Sequence, residues 1–275
     1  MCGIIYYQNN GAKLAKRSEF IKASKLLYRR GPDFQKYEIS KNRMVYHSRL
    51  KIIDLHDRSS QPMKRDNFSI IYNGEIYNYI ELRNELKKFY NFTTHSDTEV
   101  LLFSFLKWGK DIFKKIEGMY SFVIYDEKRK YFFAARDYFG QKPLYYYKKN
   151  SEIFFSSEIK PIIKFFNLKI SFEEKEIYKY LNHNFFGDTK YTFFKNIYQI
   201  PPGSYCEFKK NKLIFNKINI GKGLVISEKS IKKSLIYSVK KSLVSDKEVA
   251  LLYSGGTDSK SLYDILPSSK QKKIK

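Results

Sequence analysis

Apolar positions in the first two-thirds of the chain fall into short strand-like runs, interrupted by a few stretches of helical period. Residues 2–8 alternate weakly and predict a first strand. Ser18 stands where a helix running to Arg29 would be capped, and Gly31-Pro32 would end it. Residues 43–53 and 68–73, rich in β-branched and aromatic side chains, predict two further strands. Ile80, Leu82, Leu86 and Phe89 mark one apolar helix face, and Val100, Leu101, Phe103 and Leu106 mark another on a helix over 96–108. Residues 119–125 and 131–135 flank the polar turn 126–129 as a hairpin, followed by strands over 144–148 and 153–156. A helix is expected over 173–181, and a last hairpin pairs 205–208 with 213–215 around 209–212.

The pattern then changes. Residues 216–227 contain two glycines and no clear period, which predicts a linker. Residues 228–243 read as a helix. Residues 248–253 form a continuous apolar run ending at Ser254-Gly255-Gly256, with a short helix beyond. Strand, glycine-rich turn and helix in that order are the opening of an α/β nucleotide-binding unit. The chain therefore divides into residues 1–215, the linker 216–227, and a second unit begun over 228–275.

Composition narrows the function classes. The 275 residues can bury a real core, and no apolar stretch approaches the ~18 residues of a membrane span. Two distant cysteines make no disulfide framework and fit a reducing cytoplasm, and no secretory leader precedes Cys2. The four histidines lack metal-ligand spacing. A net charge of +24 would ordinarily raise nucleic acid or anionic lipid as partners. Here the lysines are spread along the whole chain, and the one basic run, 270–275, is a tail; neither partner is expected.

Four clusters carry chemistry. Cys2 becomes the first residue once Met1 is removed, and then joins a thiol to a free α-amine that can take its proton. Asn73-Gly74 is locally a hairpin-turn signal; its other reading is an oxyanion hole, with the Asn73 amide and the Gly74 N–H as donors. Ser96 and Glu99 have capping-box spacing, which leaves Asp97 free to receive an ammonium group. The Arg49 guanidinium suits a carboxylate, so that Arg49 with Glu75 and Asp97 would recognise the zwitterionic end of an amino acid. Finally, Ser254, Gly255, Gly256, Thr257, Asp258 and Ser259 follow an apolar run without the lysine of a Walker A loop. Their N–H groups and hydroxyls would hold pyrophosphate, and Asp258 would face a Mg²⁺ ion.

In this order the clusters resemble the class II glutamine amidotransferases, and among them the glutamine-hydrolysing asparagine synthetases. The resemblance rests on Met1-Cys2-Gly3-Ile4, Arg30-Gly31-Pro32-Asp33, His47-Ser48-Arg49-Leu50 with Ile53-Asp54, and Asn73-Gly74-Glu75-Ile76-Tyr77-Asn78. It continues through Ser96-Asp97-Thr98-Glu99, Gly118-Met119, Arg136-Asp137, Gly140 with Lys142-Pro143-Leu144-Tyr145, Ser157-Glu158 with Lys160, Pro201-Pro202-Gly203, and Ser254 to Ser259. It implies an α+β protein with the four-layer αββα fold of N-terminal nucleophile (Ntn) hydrolases, followed by an incomplete α/β ATP-pyrophosphatase-like segment. Cys2 would attack glutamine, with Asn73 and Gly74 holding the oxyanion. Arg49 would bind the glutamine carboxylate and Glu75 and Asp97 its ammonium, while the backbone of Leu50, Lys51, Ile52 and Ile53 lines the pocket. In family members ATP and Mg²⁺ then activate aspartate for amidation; Leu252 would lie at the nucleotide and Ser254 to Ser259 at its pyrophosphate. Family synthetases run well past the equivalent of Lys275, so the resemblance implies glutaminase activity without asparagine synthesis for this chain. Lys260 and Tyr253 depart from the family pattern, and relatives that amidate sugars or other carboxylates share the architecture. The acceptor, a catalytically silent glutamine-binding role and assembly into a homodimer stay open.

Overall fold

A computed structural model describes residues 1–11, 16–184, 189–209, 212–219 and 227–266. Most of the expected linker and the basic tail lie outside them. Two six-stranded antiparallel sheets organise the first 217 residues. One has the order β10 (Tyr198–Gln199), β8 (Tyr145–Lys149), β9 (Glu152–Ser156), β1 (Gly3–Asn9), β3 (Arg43–Arg49), β2 (Phe34–Ile39). The other has the order β12 (Lys212–Lys217), β11 (Ser204–Lys209), β7 (Tyr131–Arg136), β6 (Gly118–Asp126), β5 (Phe68–Ile76), β4 (Met63–Arg65).

The inner strands β1, β6, β7 and β9 read as nearly continuous apolar runs because both of their faces are buried. In β1, Ile4 and Tyr6 point between the sheets, where they meet Ile71, Val123, Tyr125, Phe132 and Ala134 of the facing sheet. Ile5 and Tyr7 point the other way, onto α1 (Arg17–Ser24) and α4 (Ile159–Phe166) through Phe20, Ala23, Ile162 and Phe165. The second sheet sends Ile70, Tyr72, Phe122, Ile124 and Phe133 onto α2 (Tyr79–Leu86) and α3 (Asp97–Trp108), against Leu82, Leu86, Val100 and Leu101. The layers are therefore α, β, β, α, as the resemblance implies.

Several elements differ from their expected form. Ser18 lies inside α1 and not at its cap; Lys16 precedes the helix with no side-chain cap, and residues 25–30 continue as a 3-10 helix. The strand expected over 43–53 ends at Arg49, where the chain turns away as a loop. Ile80 and Phe89 are exposed, so only Leu82 and Leu86 of the expected apolar face reach the core. The predicted turn at Asn73-Gly74 is absent: both residues lie within β5, paired with Ser121 and Tyr120 of β6. β2, β4, β10 and α4 were not apparent in the pattern, whereas α5 (Glu174–His183) matches its expected helix closely.

After residue 227 come α6 (Glu228–Ser242) and α7 (Thr257–Ile265). Residues 248–253 form no strand, which corrects the expectation drawn from their apolar run. A strand requires a hydrogen-bonding neighbour, and none pairs with this run among the described residues; Leu252 stands 93% exposed. No helix of the described residues is long and apolar enough to cross a membrane.

Candidate active site

The two sheets bring separate parts of the chain to one cleft of about 190 Å³. Cys2 stands just before β1, and the antiparallel register of β1 with β3 pairs Gly3 with Ser48, so that Arg49 ends its strand beside the thiol. β5 contributes Asn73, Gly74 and Glu75 from the facing sheet, α3 contributes Asp97 at its first residue, and the loop before β8 contributes Lys142. Leu50, Ile52, Ile53, Gln61, Tyr72, Ser96 and Thr98 complete the wall.

The Cys2 sulfur lies 3.4 Å from the Leu50 N–H, from which it accepts, and 3.7 Å from the Leu50 carbonyl. Burial pushes the thiol above its ordinary range, against the opposing pull of the Leu50 N–H, the α-ammonium and Arg49. The α-amine of the 275-residue chain belongs to Met1, and burial holds it below its ordinary value, with Arg30 and Lys142 acting in the same direction. Arg30 also donates from Nε to the Cys2 carbonyl at 3.0 Å and pairs with Glu158 at 3.2 Å, which fixes the backbone of the nucleophile.

Asn73 is buried, and its Nδ2 has no hydrogen-bond partner among the described residues. An orphan donor of this kind is costly unless something arrives to accept from it. Gly74 is glycine for a reason the sequence did not reveal: a Cβ would fall on the Met119 carbonyl oxygen of β6. Its small size serves the close approach of two strands.

Asp97 accepts from the Ile76 N–H and the Tyr72 hydroxyl, each at 3.0 Å. Burial raises its pKa to about 6. Glu75 is likewise raised by burial and by the like charge of Asp97, with Lys142 and the α-ammonium opposing. Together they make one wall of the cleft acidic. The expected capping box is only half formed. Ser96 accepts from the Thr98 N–H at 3.0 Å, whereas Glu99 turns to the Thr93 and Thr94 N–H groups and to Arg65.

Arg49 lines the cleft, but its terminal nitrogens already brace a loop. Nη1 donates to the His56 carbonyl (2.7 Å) and the Ser60 hydroxyl (3.3 Å), and Nη2 to the Ile53 (3.2 Å) and Asp54 carbonyls. Of the four expected lining residues from Leu50 to Ile53, Lys51 is the exception. Its N–H donates to Asp33 at 2.8 Å and its ammonium pairs with Asp57 at 2.8 Å, outside the cleft wall. Gln61, Tyr72, Thr98 and Lys142 were not among the expected site residues. Lys142 appeared only within a motif, and its one visible signal was a lysine beside the otherwise apolar Pro143-Leu144.

Residues Ser254 to Ser259 stand apart from this cleft. Gly255 has φ +80°, Gly256 caps α7, and the hydroxyls bond within the loop: Ser254 to Ser259 at 3.2 Å, and Ser259 to the Gly256 carbonyl at 3.0 Å. A left-handed glycine ahead of a helix N-terminus suits a phosphate. Asp258 is exposed, and no group of three His, Cys, Asp or Glu side chains among the described residues could hold a metal ion. The loop presents backbone and hydroxyl groups at a helix N-terminus, with Asp258 as its one carboxylate.

Comparison with known proteins bears on this cleft. Residues 1–218 match the family of the glutamine amidotransferase domain. Glutamine-hydrolyzing asparagine synthetase 3 of Bacillus subtilis (strain 168) is 32% identical over 95% of this chain and 44% of its own length. Glutamine-hydrolyzing asparagine synthetase 1 of the same organism is 32% identical over 94% of this chain and 43% of its own. The chain thus spans less than half the length of these relatives. Among solved structures, the allosteric regulatory enzyme of purine biosynthesis superposes with a TM-score of 0.58 at 16% identity, covering 80% of this chain and 50% of the other. The glutamine phosphoribosylpyrophosphate amidotransferase of B. subtilis gives 0.53 at 15% identity over the same shares. These two share the fold.

Proposed function

Because this chain belongs to the glutamine amidotransferase domain family, we propose that its cleft hydrolyses glutamine to glutamate and ammonia, with Cys2 as nucleophile. Removal of Met1 gives Cys2 its own α-amine. That amine takes the thiol proton, and the thiolate attacks the side-chain amide carbon of glutamine. The developing oxyanion accepts from Asn73 Nδ2 and the Gly74 N–H. Ammonia leaves with the proton returned by the amine, and water then opens the γ-glutamyl thioester to release glutamate. Asp97 and Glu75 receive the substrate's ammonium. Its carboxylate faces Arg49, whose Nη groups must exchange loop carbonyls for it or leave that contact to Nε.

The observation that carries this reading is the orphan Asn73 amide, buried in the same cleft as the Cys2 thiol. The test is glutamate release from glutamine by the purified chain, with loss of Met1 verified by mass. We expect turnover in the wild type and its complete loss in Cys2→Ala. Glutamine bound without turnover by the verified wild type would instead identify a silent binding module.

The names of the relatives extend the proposal to asparagine synthesis, in which ATP would place phosphates at Ser254 to Ser259 and the ammonia would pass to aspartate. Because residues 248–253 build no strand here and Leu252 is bare to solvent, we assign this chain the glutaminase half-reaction. Free Cys2 and Cys206 are consistent with a reducing compartment.

A further inference from the structure

The segment after α6 reaches back to the cleft. Tyr237 of α6 donates to Glu117 at 2.7 Å, and Lys241 pairs with Glu81 of α2. Beyond the helix, Asp246 meets the loop that follows β3 at two points. Its N–H donates to the Ile52 carbonyl at 3.0 Å, and its carboxylate accepts from the Asp54 N–H at 2.7 Å.

This loop is the one on which the cleft depends. Ile52 and Ile53 line it, and the carbonyls of Ile53 and Asp54 hold Arg49 Nη2. Asp54 is a buried non-glycine residue with φ +51°, a conformation that must be held by its surroundings. Its own carboxylate is committed inward, to the Ser59 hydroxyl and to the N–H groups of His56 (3.3 Å) and of His95 (2.7 Å), which lies two positions ahead of Asp97. Its backbone N–H is left to Asp246. We propose that Asp246 is a positioning residue of the glutamine cleft, a two-point clamp that keeps Ile52 to Asp54 where the Ile53 and Asp54 carbonyls hold Arg49. Glutamine binding by the first 218 residues thereby depends on a residue 28 positions beyond them. A surface tether would also explain an isolated bond at this place. Two bonds to alternate residues of one strained loop, with Arg49 on its other side, favour the clamp.

This inference rests on the proposed glutaminase reading, and it is tested on the full chain with Met1 removed. Asp246→Ala should raise the KM for glutamine roughly tenfold, the scale of one lost charge-assisted hydrogen bond, with kcat changed less than about twofold. Asp246→Asn keeps an acceptor for the Asp54 N–H and should recover most of the affinity. Tyr237→Phe removes a docking contact distant from the loop and should leave KM unchanged. Binding of glutamine to Cys2→Ala, with and without Asp246→Ala, gives the same comparison without turnover. Unchanged KM in Asp246→Ala overturns the clamp, as does an equal loss in Asp246→Asn. Wild type that neither binds nor hydrolyses glutamine overturns the glutaminase reading instead. The clamp is then judged by hydrogen exchange at the Asp54 amide, which Asp246→Ala should accelerate and whose constancy would sink it.

Discussion

Asp97 is kept at a cost to stability. Its ordinary pKa of 3.8 rises to about 6 on burial, so the folded state binds its proton more tightly than the unfolded state does. The stabilisation that follows is fully present below about pH 3.8 and is lost as pH climbs through about 6. Above that, the buried carboxylate costs at most about 3 kcal/mol. Asp97→Asn should therefore raise the denaturant midpoint at pH 7.5 and give no gain at pH 4. The same substitution should raise the glutamine KM at least about tenfold at pH 7.5, as expected for loss of an ion pair to the substrate ammonium. In the wild type, KM should be flat above about pH 6 and climb below it. A KM unaffected by pH between 5 and 8 would remove Asp97 from the substrate's ammonium. At this scale the sequence was informative where chemistry follows from residue type and position, as for Cys2, Asp97 and Arg49. It could not reveal that Arg49 spends its Nη groups on loop carbonyls, or that Lys51 turns to Asp33, because both depend on contacts formed only after folding.

At the scale of elements, β5 and β6 decide whether the cleft exists. Asn73 and Gly74 carry a strong short turn signal, and local propensity alone would place a hairpin there. They remain in the strand because a β5–β6 ladder of nine residue pairs holds them, and because the missing Cβ lets β6 approach. Gly74→Ala should force that ladder apart at Met119, costing about 2–4 kcal/mol in urea unfolding, within the range for strain in a packed interior, and removing glutaminase activity. Wild-type stability and turnover in this variant would contradict the close approach. Most helices and long strands were legible from period and composition, with α4 and β2 the exceptions. β4 and β10, of three and two residues, were too short to leave a period, and residues 248–253 show the converse case. An apolar run signals burial, and it becomes a strand only when a neighbouring strand supplies the hydrogen bonds.

At the scale of the whole molecule, two sheets covered by helices explain why the inner strands lack the alternation of a half-exposed sheet; the layer order itself came from the family resemblance and not from the pattern. The glutamine cleft and the loop Ser254 to Ser259 lie on different parts of the chain, and the cleft is walled without any residue of that loop. Glutamate release should therefore be the same with and without ATP, Mg²⁺ and aspartate, with no asparagine detected by amino-acid analysis. Stimulation by ATP, or asparagine formed, would show that the loop serves a complete ligase site.

The raised pKa of the Cys2 thiol carries a consequence for the durability of the protein. Peroxides and alkylating agents attack the thiolate, and a buried sulfur that keeps its proton is a poor target for them. While Met1 is in place, burial thus favours the protonated thiol, the form less open to oxidation.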